Sequence, residues 1–418
     1  MNRDMMNEMT EKARKASYSL AVMSRERKDA VLRSMADGIE RSAADIKKAN
    51  AIDVAAAREK GRTGAFVDRL ELNDKRISGM CSMLREVAAL EDPVGKVIGT
   101  TTRPNGLVIE KVRVPIGVIG IIYESRPNVT ADCVSLCMKS GNAVILRGGS
   151  DAINSNKAIY DAMRRGAVSA GMDEGAFALV EDTSRDMVDS MLGAAGKIDL
   201  IMPRGGEALI REVTEKSRVP VIKHYKGICH VYVDKDANTD MAENICFNAK
   251  VQRPGVCNAM ETMLVHKDIA DAFLPGMLAK FAGAGVKIKG CVRTKKYANI
   301  PVGTVTDEDY ATEWLDLVLN VKIVDSLDEA VGHIARFGSG HSDAIVTENA
   351  RAAEDFLRRV DSSAVYVNAS TRFTDGGEFG KGAEIGISTD RLHARGPMGL
   401  EELTTYKYVV RGTGQIRE

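Results

Sequence analysis

The fold is decided by residues 116–149, IGVIGIIYESRPNVTADCVSLCMKSGNAVILRGG, in which the hydrophobic pattern changes from strand to helix and back to strand. Residues 116–122 are an apolar run typical of a buried strand, and 129–139 follow an asparagine cap as a helix that ends before a glycine. A second apolar run at 143–146 completes the pattern. Together they predict a βαβ unit with parallel strands.

Helices precede this unit, and strands and helices alternate after it. The first 90 residues have apolar positions at three- and four-residue spacing and predict a series of amphipathic helices. After the βαβ unit the predicted strands are 177–180, 198–202, 219–222, 261–266, 287–289, 318–324 and 344–346, and the predicted helices are 150–165, 185–192, 207–216, 241–250 and 269–281. We therefore expect an α/β protein with a doubly wound parallel sheet and a second α/β domain.

Two stretches, 106–114 and 404–410, alternate apolar and polar residues as exposed strands do. A strand at the edge of a sheet has unpaired backbone groups that can pair with another chain. We interpret both as edge strands at a subunit interface, and we expect a homo-oligomer.

Composition limits the classes of partner. The 418 residues include 58 Lys and Arg against 58 Asp and Glu, so no net charge favours nucleic acid or an anionic membrane surface. The N-terminal residues lack the apolar core of a signal peptide, and the longest apolar run is about half the length of a membrane span. Seven cysteines without paired spacing indicate reduced thiols and a cytoplasmic setting. We expect neither nucleic acid nor membrane as a partner.

Cys257 is the candidate nucleophile because it lies in a polar turn, QRPGVCNAMET (252–262), between a predicted helix and a predicted strand. The cation of nearby Arg253 would lower the pKa of this thiol toward the reactive thiolate. The other cysteines lie in apolar or helical patterns, where a cysteine packs as a small hydrophobe, and they are Cys81, Cys133, Cys137, Cys229, Cys246 and Cys291.

Three predicted strands end in polar or glycine-rich turns, and ligands of parallel sheets bind at such strand ends. Arg147-Gly148-Gly149 and Arg204-Gly205-Gly206 each precede a predicted helix and could hold phosphate groups, although glycine turns that only cap helices look the same. The third turn, 123–128, packs several polar groups that could line a substrate pocket or cap a helix.

Five segments together resemble the aldehyde dehydrogenase superfamily, and the resemblance covers nearly the whole chain. They are QRPGVCNAMET (252–262), MPRGGEALI (202–210), KSGNAVILRGG (139–149), TEWLDLVLNVKIV (312–324) and VNASTRFTDGGEFGKGAEIGIS (367–388). The resemblance implies a Rossmann-type parallel sheet for the cofactor, an α/β catalytic domain and a small oligomerisation hairpin with a C-terminal tail. By this likeness residues 1–225 bind NADP and include a hairpin near 100–113, 226–388 are catalytic, and 389–418 return to the oligomerisation element.

The resemblance also implies roles for single residues. Cys257 would be the nucleophile, with its backbone N–H and the amide of Asn128 as donors to the oxyanion. Arg147 stands where the superfamily usually has a lysine facing the adenosine ribose, and an arginine suits the 2′-phosphate of NADPH. Gly148, Gly149, Arg204, Gly205 and Gly206 would lie along the cofactor. Glu313 would hold the nicotinamide ribose, unless it is a surface carboxylate on a helix.

One departure from the superfamily bears on the reaction. Hydrolytic members carry a glutamate base in a Glu-Leu-Gly-Gly segment, and Lys223-His224-Tyr225-Lys226-Gly227 stands in its place. Without a base to activate water, an acyl-cysteine can be made from an acyl phosphate. The branch most similar to this chain reduces L-glutamyl 5-phosphate with NADPH to glutamate 5-semialdehyde in proline biosynthesis.

Anion contacts for such a substrate could come from Arg126, Arg253 and Arg372, each of which could instead form a surface salt bridge. The resemblance implies that glutamate 5-kinase supplies the acyl phosphate, and we expect no metal. Two other functions stay open, a hydrolytic or coenzyme-A-acylating aldehyde dehydrogenase and a non-catalytic nucleotide-binding protein.

Overall fold

The structure, a computed structural model, describes residues 2–417 and divides into two compact units. The first unit comprises residues 2–223, Gly380–Gly386 and 398–417, and the second comprises His224–Phe379 and Ile387–Pro397. The second unit therefore lacks 380–386, which the sequence-based division had placed in the catalytic domain. No described helix is long and apolar enough to cross a membrane.

Within residues 2–417, the first unit has nine α-helices and two sheets. Its helices are α1 (Asn2–Ala21), α2 (Arg25–Arg41), α3 (Ala43–Glu59), α4 (Gly64–Leu70), α5 (Asp74–Ala89), α6 (Val129–Lys139), α7 (Ile153–Ser169), α8 (Arg185–Leu192) and α9 (Glu207–Lys216). Its strands are β1 (Val97–Thr102), β2 (Val108–Pro115), β3 (Val118–Tyr123), β4 (Ala143–Gly148), β5 (Phe177–Leu179), β6 (Leu200–Arg204) and the C-terminal strand Thr404–Arg411. β3 is fully buried, as its apolar run predicts.

The predicted βαβ unit is confirmed as β3, α6 and β4, which belong to a four-stranded parallel sheet with the order β5-β4-β3-β6. The predicted strand at 219–222 is wrong, since only Val221 forms a bridge, to Ile201. Pro220 has no N–H to donate, which limits strand pairing at this point.

The second unit contains a seven-stranded sheet in which all neighbours are parallel. Its helices are α10 (Thr239–Val251), α11 (Ala270–Gly283), α12 (Asp307–Tyr310), α13 (Leu327–Phe337) and α14 (Ala350–Arg359). Its strands are β7 (Cys229–Val233), β8 (Met260–His266), β9 (Lys287–Gly290), β10 (Gly303–Thr304), β11 (Val318–Val324), β12 (Ser342–Val346), β13 (Ala364–Val367), β14 (Ile387–Ser388) and β15 (Gly396–Pro397), and the C-terminal strand of the first unit is β16. The sheet order is β10-β9-β11-β8-β7-β12-β13, with β14 paired to β15 separately.

The two stretches interpreted as edge strands pair with each other. β16 runs antiparallel to β2, from Thr404 opposite Pro115 to Arg411 opposite Val108, and β1 covers the other side of β2. β2 is therefore the central strand of a three-stranded sheet, and the interpretation of 106–114 as an edge is wrong. Edges remain at β1 and β16, so the expected homo-oligomer stays a prediction.

Candidate active site

The three polar turns predicted to hold ligands meet at the carboxyl edge of the four-stranded sheet. Tyr123, the last residue of β3, is paired with Gly148 of β4 on one side and with Arg204 of β6 on the other. The chain moves outward from β3 through β4 to β5 and then returns to β6 on the opposite side of β3. Such a reversal of strand order leaves a crevice where open α/β sheets bind their ligands.

Glu124, directly after β3, links this turn to the turn after β6. Its carboxylate oxygen Oε1 accepts a hydrogen bond from the N–H of Gly206 at 2.8 Å, and its own N–H donates to the carbonyl of Arg204 at 3.0 Å. A Cβ on Gly205 would lie 2.6 Å from the same carboxylate, so glycine at this position lets the Glu124 side chain approach the turn closely. The sequence places Glu124 in the right turn but does not indicate its role as a link.

A cavity of about 300 Å³ extends from the turns after β3 and β4, and Ser125, Arg147, Gly149 and Ser150 line part of it. Gly149 is packed on Ser125, because a Cβ there would lie 2.9 Å from the serine Oγ. Gly148 is also closely packed, since a Cβ on it would overlap the side chains of Asn156 and Tyr123.

Arg147 enters this cavity from the end of β4. Its Nη2 donates to the carbonyl of Thr183 at 2.5 Å, whereas its Nε is buried without a hydrogen-bond acceptor among residues 2–417. Burial lowers the pKa of this guanidinium, and the Asp182 carboxylate opposes that shift. An unsatisfied buried donor, serine hydroxyls and glycine turns form a donor set that fits a nucleotide phosphate.

Asn128 lies at the N-terminus of α6, where its amide Nδ2 donates to Asp132 at 3.0 Å. Burial raises the pKa of Asp132 to about 6, while the charge of Arg204 acts in the opposite direction. An amide held by a carboxylate has a defined orientation, and one of its two N–H donors remains for another acceptor. Arg126, in the same turn, is exposed.

Cys257 lies in the irregular segment between α10 and β8, at the amino edge of the seven-stranded sheet, and its side chain is partly buried. The backbone at Gly227 packs directly on the backbone of Cys257, because a Cβ there would overlap the cysteine carbonyl. The Cys229 thiol donates to that same carbonyl at 3.2 Å. The segment carrying Cys257 is thus seated on the chain that enters β7.

Two predicted arginines come together near this thiol. Burial lowers the pKa of Arg372, the charge of Arg253 lowers it further, and Cys257 and Asp375 oppose the shift. The Arg372 side chain donates to Gln252 Oε1 at 2.9 Å and to the amide oxygen of Asn258. The structure therefore groups the thiol with two guanidiniums, which suits an anionic reactant.

Asn258 and a buried ion pair hold this region, and sequence reasoning missed both. The Asn258 side-chain amide donates to the carbonyl of Thr374 at 2.9 Å, and the Asn258 backbone carbonyl accepts from the Thr371 hydroxyl at 2.7 Å. Lys250 Nζ lies 2.7 Å from Glu261 Oε2, and both side chains are fully buried. Burial raises the pKa of Glu261 and lowers that of Lys250, and each charge opposes the other's shift.

Glu313 lies in a non-helical segment after α12, so the alternative of a helix surface carboxylate is wrong. Leu315, two residues after Glu313, has φ 52° and donates its N–H to Glu261 Oε1 at 3.4 Å. The negative charge of Glu313 contributes to the raised pKa of Glu261. The buried pair therefore connects the Cys257 region to the segment of Glu313.

Five of the six cysteines expected in the core are buried, whereas Cys291 is only partly buried. Burial raises the pKa of Cys291, but hydrogen bonds from Thr294 and from backbone groups outweigh this and lower it. The thiol follows β9 directly and so lies outside the apolar or helical pattern that the sequence predicts for it. His224 precedes β7, and its Nδ1–H donates to the carbonyl of Ile387 at 2.8 Å.

Comparison of the sequence with known proteins identifies its family. The sequence profile described as the aldehyde dehydrogenase family matches residues 1–309. A gamma-glutamyl phosphate reductase of Caldanaerobacter subterraneus subsp. tengcongensis is 57% identical over 407 residues, which are 97% of this chain and 98% of the relative. The protein of the same name from Thermodesulfovibrio yellowstonii is 56% identical over 406 residues, 97% of each chain.

Solved structures agree with the sequence relatives. The crystal structure of gamma-glutamyl phosphate reductase from Thermotoga maritima superimposes with a TM-score of 0.97 at 47% identity and covers 99% of this chain and 100% of its own. An acetylating aldehyde dehydrogenase from Geobacillus thermoglucosidasius has a TM-score of 0.68 at 17% identity, covering 100% and 98%, and shares the fold. The expected α/β fold with parallel sheets is confirmed.

Proposed function

Because the chain belongs to the aldehyde dehydrogenase family and, within it, to the gamma-glutamyl phosphate reductases, we propose that it reduces L-glutamyl 5-phosphate to glutamate 5-semialdehyde with NADPH. The enzyme is a glutamate-5-semialdehyde dehydrogenase of proline biosynthesis. The observation that carries the mechanism is the position of Arg372, whose side chain donates to the amide oxygen of Asn258, the residue next to Cys257.

Cys257 forms the covalent intermediate. Its thiolate attacks the acyl carbon of L-glutamyl 5-phosphate, the bond from that carbon to the phosphate oxygen breaks, and inorganic phosphate leaves a thioester behind. NADPH, when bound, supplies the hydride that reduces this thioester. The resulting thiohemiacetal collapses to the aldehyde and releases the Cys257 thiolate. The backbone N–H of Cys257 and the Asn128 amide are the proposed donors to the oxyanion.

The arginines neutralise the anionic groups of the substrate. Arg372 is oriented by Gln252 and Asn258, so its guanidinium loses little conformational entropy when it binds an anion. Arg253 adds a second positive charge, and we assign the phosphate or the α-carboxylate to this pair. Arg126 is the third candidate for a substrate anion.

The cofactor would be held by the crevice of the first unit. Arg147 with Gly148 and Gly149 is assigned to the adenosine side, and the turn Arg204–Gly206 is assigned to the pyrophosphate. Glu313 is assigned to the nicotinamide ribose. We place the enzyme in the cytoplasm as a homo-oligomer that receives its acyl phosphate from glutamate 5-kinase.

The reverse reaction tests this proposal. The protein is given glutamate 5-semialdehyde and NADP⁺, with and without inorganic phosphate, and NADPH is followed by absorbance. Phosphate-dependent NADPH formation is expected because phosphate must release the acyl group from Cys257. Turnover without phosphate would indicate hydrolysis, and turnover that requires coenzyme A would indicate an acylating aldehyde dehydrogenase; either result contradicts the proposal.

A further inference from the structure

We propose that Arg62 and Phe66, which lie between α3 and α4 and on α4, belong to the cofactor site, and that Arg62 is a second guanidinium for the 2′-phosphate of the cofactor. This inference rests on the proposed use of NADPH. It assigns to the cofactor site a segment of the chain that lies outside the glycine turns at 147–149 and 204–206.

Both residues line the cavity of about 300 Å³ that Arg147, Ser125 and Ser150 also line. The cavity therefore has two guanidiniums and two hydroxyl groups around a volume suited to part of a small ligand. Hydroxyl and guanidinium groups are strong donors to phosphate oxygens. The carboxylates of Glu124 and Asp151 line the same cavity, and each already accepts a hydrogen bond, Glu124 from the Gly206 N–H and Asp151 from the Arg62 side chain.

The position of Arg62 is fixed by contacts that leave donors for a ligand. Its Nη2 lies 2.7 Å from Asp151, the residue that follows Ser150, and its guanidinium carbon lies 5.1 Å from the centre of the Phe66 ring. A guanidinium has five N–H donors, of which the ion pair uses one. The Phe66 ring gives the same wall of the cavity an apolar face that suits a nucleotide base.

Lys60 provides a matched control within the same cluster. Its Nζ lies 2.8 Å from the other oxygen of Asp151, so it balances the same carboxylate as Arg62 does. Both cations lower the pKa of Asp151. Only Arg62 lines the cavity, whereas Lys60 does not. If the cluster has only a structural role, Lys60→Gln and Arg62→Gln should change ligand affinity equally. If Arg62 binds the ligand, Arg62→Gln should lower the affinity more than Lys60→Gln does.

The test measures binding without catalysis. Calorimetry is used to titrate 2′,5′-ADP, which carries the 2′-phosphate, and 5′-ADP, which lacks it, into the wild type, Arg62→Gln, Arg62→Lys and Lys60→Gln. Loss of a charge-assisted contact should weaken 2′,5′-ADP binding about 10- to 100-fold in Arg62→Gln and leave 5′-ADP binding unchanged. Arg62→Lys should recover part of the loss, and Lys60→Gln should bind both ligands as the wild type does.

Equal affinities of Arg62→Gln and Lys60→Gln for 2′,5′-ADP would overturn the role of Arg62 while leaving the proposed function intact. A wild type that binds 2′,5′-ADP no better than 5′-ADP would overturn both this inference and the choice of NADPH, but not the phosphate-dependent chemistry at Cys257. Thermal unfolding of each variant shows whether a change in affinity reflects a change in fold.

Discussion

The crevice of the first unit and the Cys257 region of the second lie at opposite edges of their sheets. The crevice is at the carboxyl ends of β3, β4 and β6, where parallel sheets commonly bind ligands, and backbone groups with one carboxylate, Glu124, connect its turns. Cys257 precedes β8 at the amino edge, and buried side chains hold it. A site made from strand-end turns follows from local sequence, whereas one held by buried polar contacts depends on residues far apart in the chain.

The largest effect should follow from removing the thiol of the second region. Cys257→Ala should lower the rate of phosphate-dependent NADPH formation at least about 10⁴-fold, because the covalent intermediate cannot form. Cys291→Ala is the control, since it removes the other partly buried thiol. If Cys291→Ala lost as much activity as Cys257→Ala, the chemistry would not be confined to the Cys257 region.

The buried pair should show how strongly this region depends on long-range contacts. Lys250→Met leaves the Glu261 carboxylate buried without its partner, and the free energy of unfolding should fall by about 3–5 kcal/mol. The double variant Lys250→Met/Glu261→Met removes both charges and should recover most of that loss. Urea unfolding measures both. A double variant as unstable as the single one would show that packing at these positions, and not the unpaired charge, is responsible.

Much of the fold could be predicted because its elements have local patterns. The helix at Glu207–Lys216 and the strand at Val318–Val324 were predicted with the bounds found in the structure. Residues 219–222 do not form the predicted strand because Pro220 limits pairing. Residues 106–114 are not the predicted edge because β1 and β16 pair with the two sides of β2, which the local pattern does not show. Predictions were least reliable where the partner strand decides the environment.

The candidate site divides in the same way. The turns at Arg147 and Arg204 were found from a strand followed by glycines, and Cys257 from its polar turn. Lys250 and Glu261 carried no such pattern, since an acid and a base eleven residues apart become partners only when α10 packs beside β8. Buried polar contacts of this kind are specified by tertiary structure.

Glycine substitution should separate close packing from simple flexibility near Cys257. Gly227→Ala places a Cβ against the Cys257 backbone and should lower kcat about 100-fold, the size of effect expected when a reacting group shifts by about 1 Å. Gly255→Ala is the matched control in the Cys257 turn, because its Cβ would meet its nearest neighbour at an ordinary 3.6 Å. If kcat fell by a similar factor in both variants, the turn would need flexibility, and the close contact at Gly227 would not explain the effect.

The smallest effect concerns acid stability, to which buried histidines and buried carboxyl groups contribute with opposite signs. Burial lowers the pKa of His333 to about 2 and that of His341 to about 3, so the unfolded chain binds protons below about pH 6.5 that the folded chain does not. Each histidine should therefore cost about 2 kcal/mol of stability between pH 6.5 and 5. The raised pKa of Asp132 makes the folded first unit bind a proton below about pH 6, which favours folding as the pH falls.

His333→Phe should remove about 2 kcal/mol of the stability loss between pH 7 and 5, because the ring packs against Tyr310 and Phe337 and a phenyl group can keep those contacts. Urea unfolding at the two pH values measures the change, and hydrogen exchange in α13 shows whether it arises in the second unit. If the unfolding free energy of His333→Phe changed with pH as that of the wild type does, His333 would have to accept its proton in the folded state. The lack of a hydrogen-bond partner for its ring among residues 2–417 argues against that.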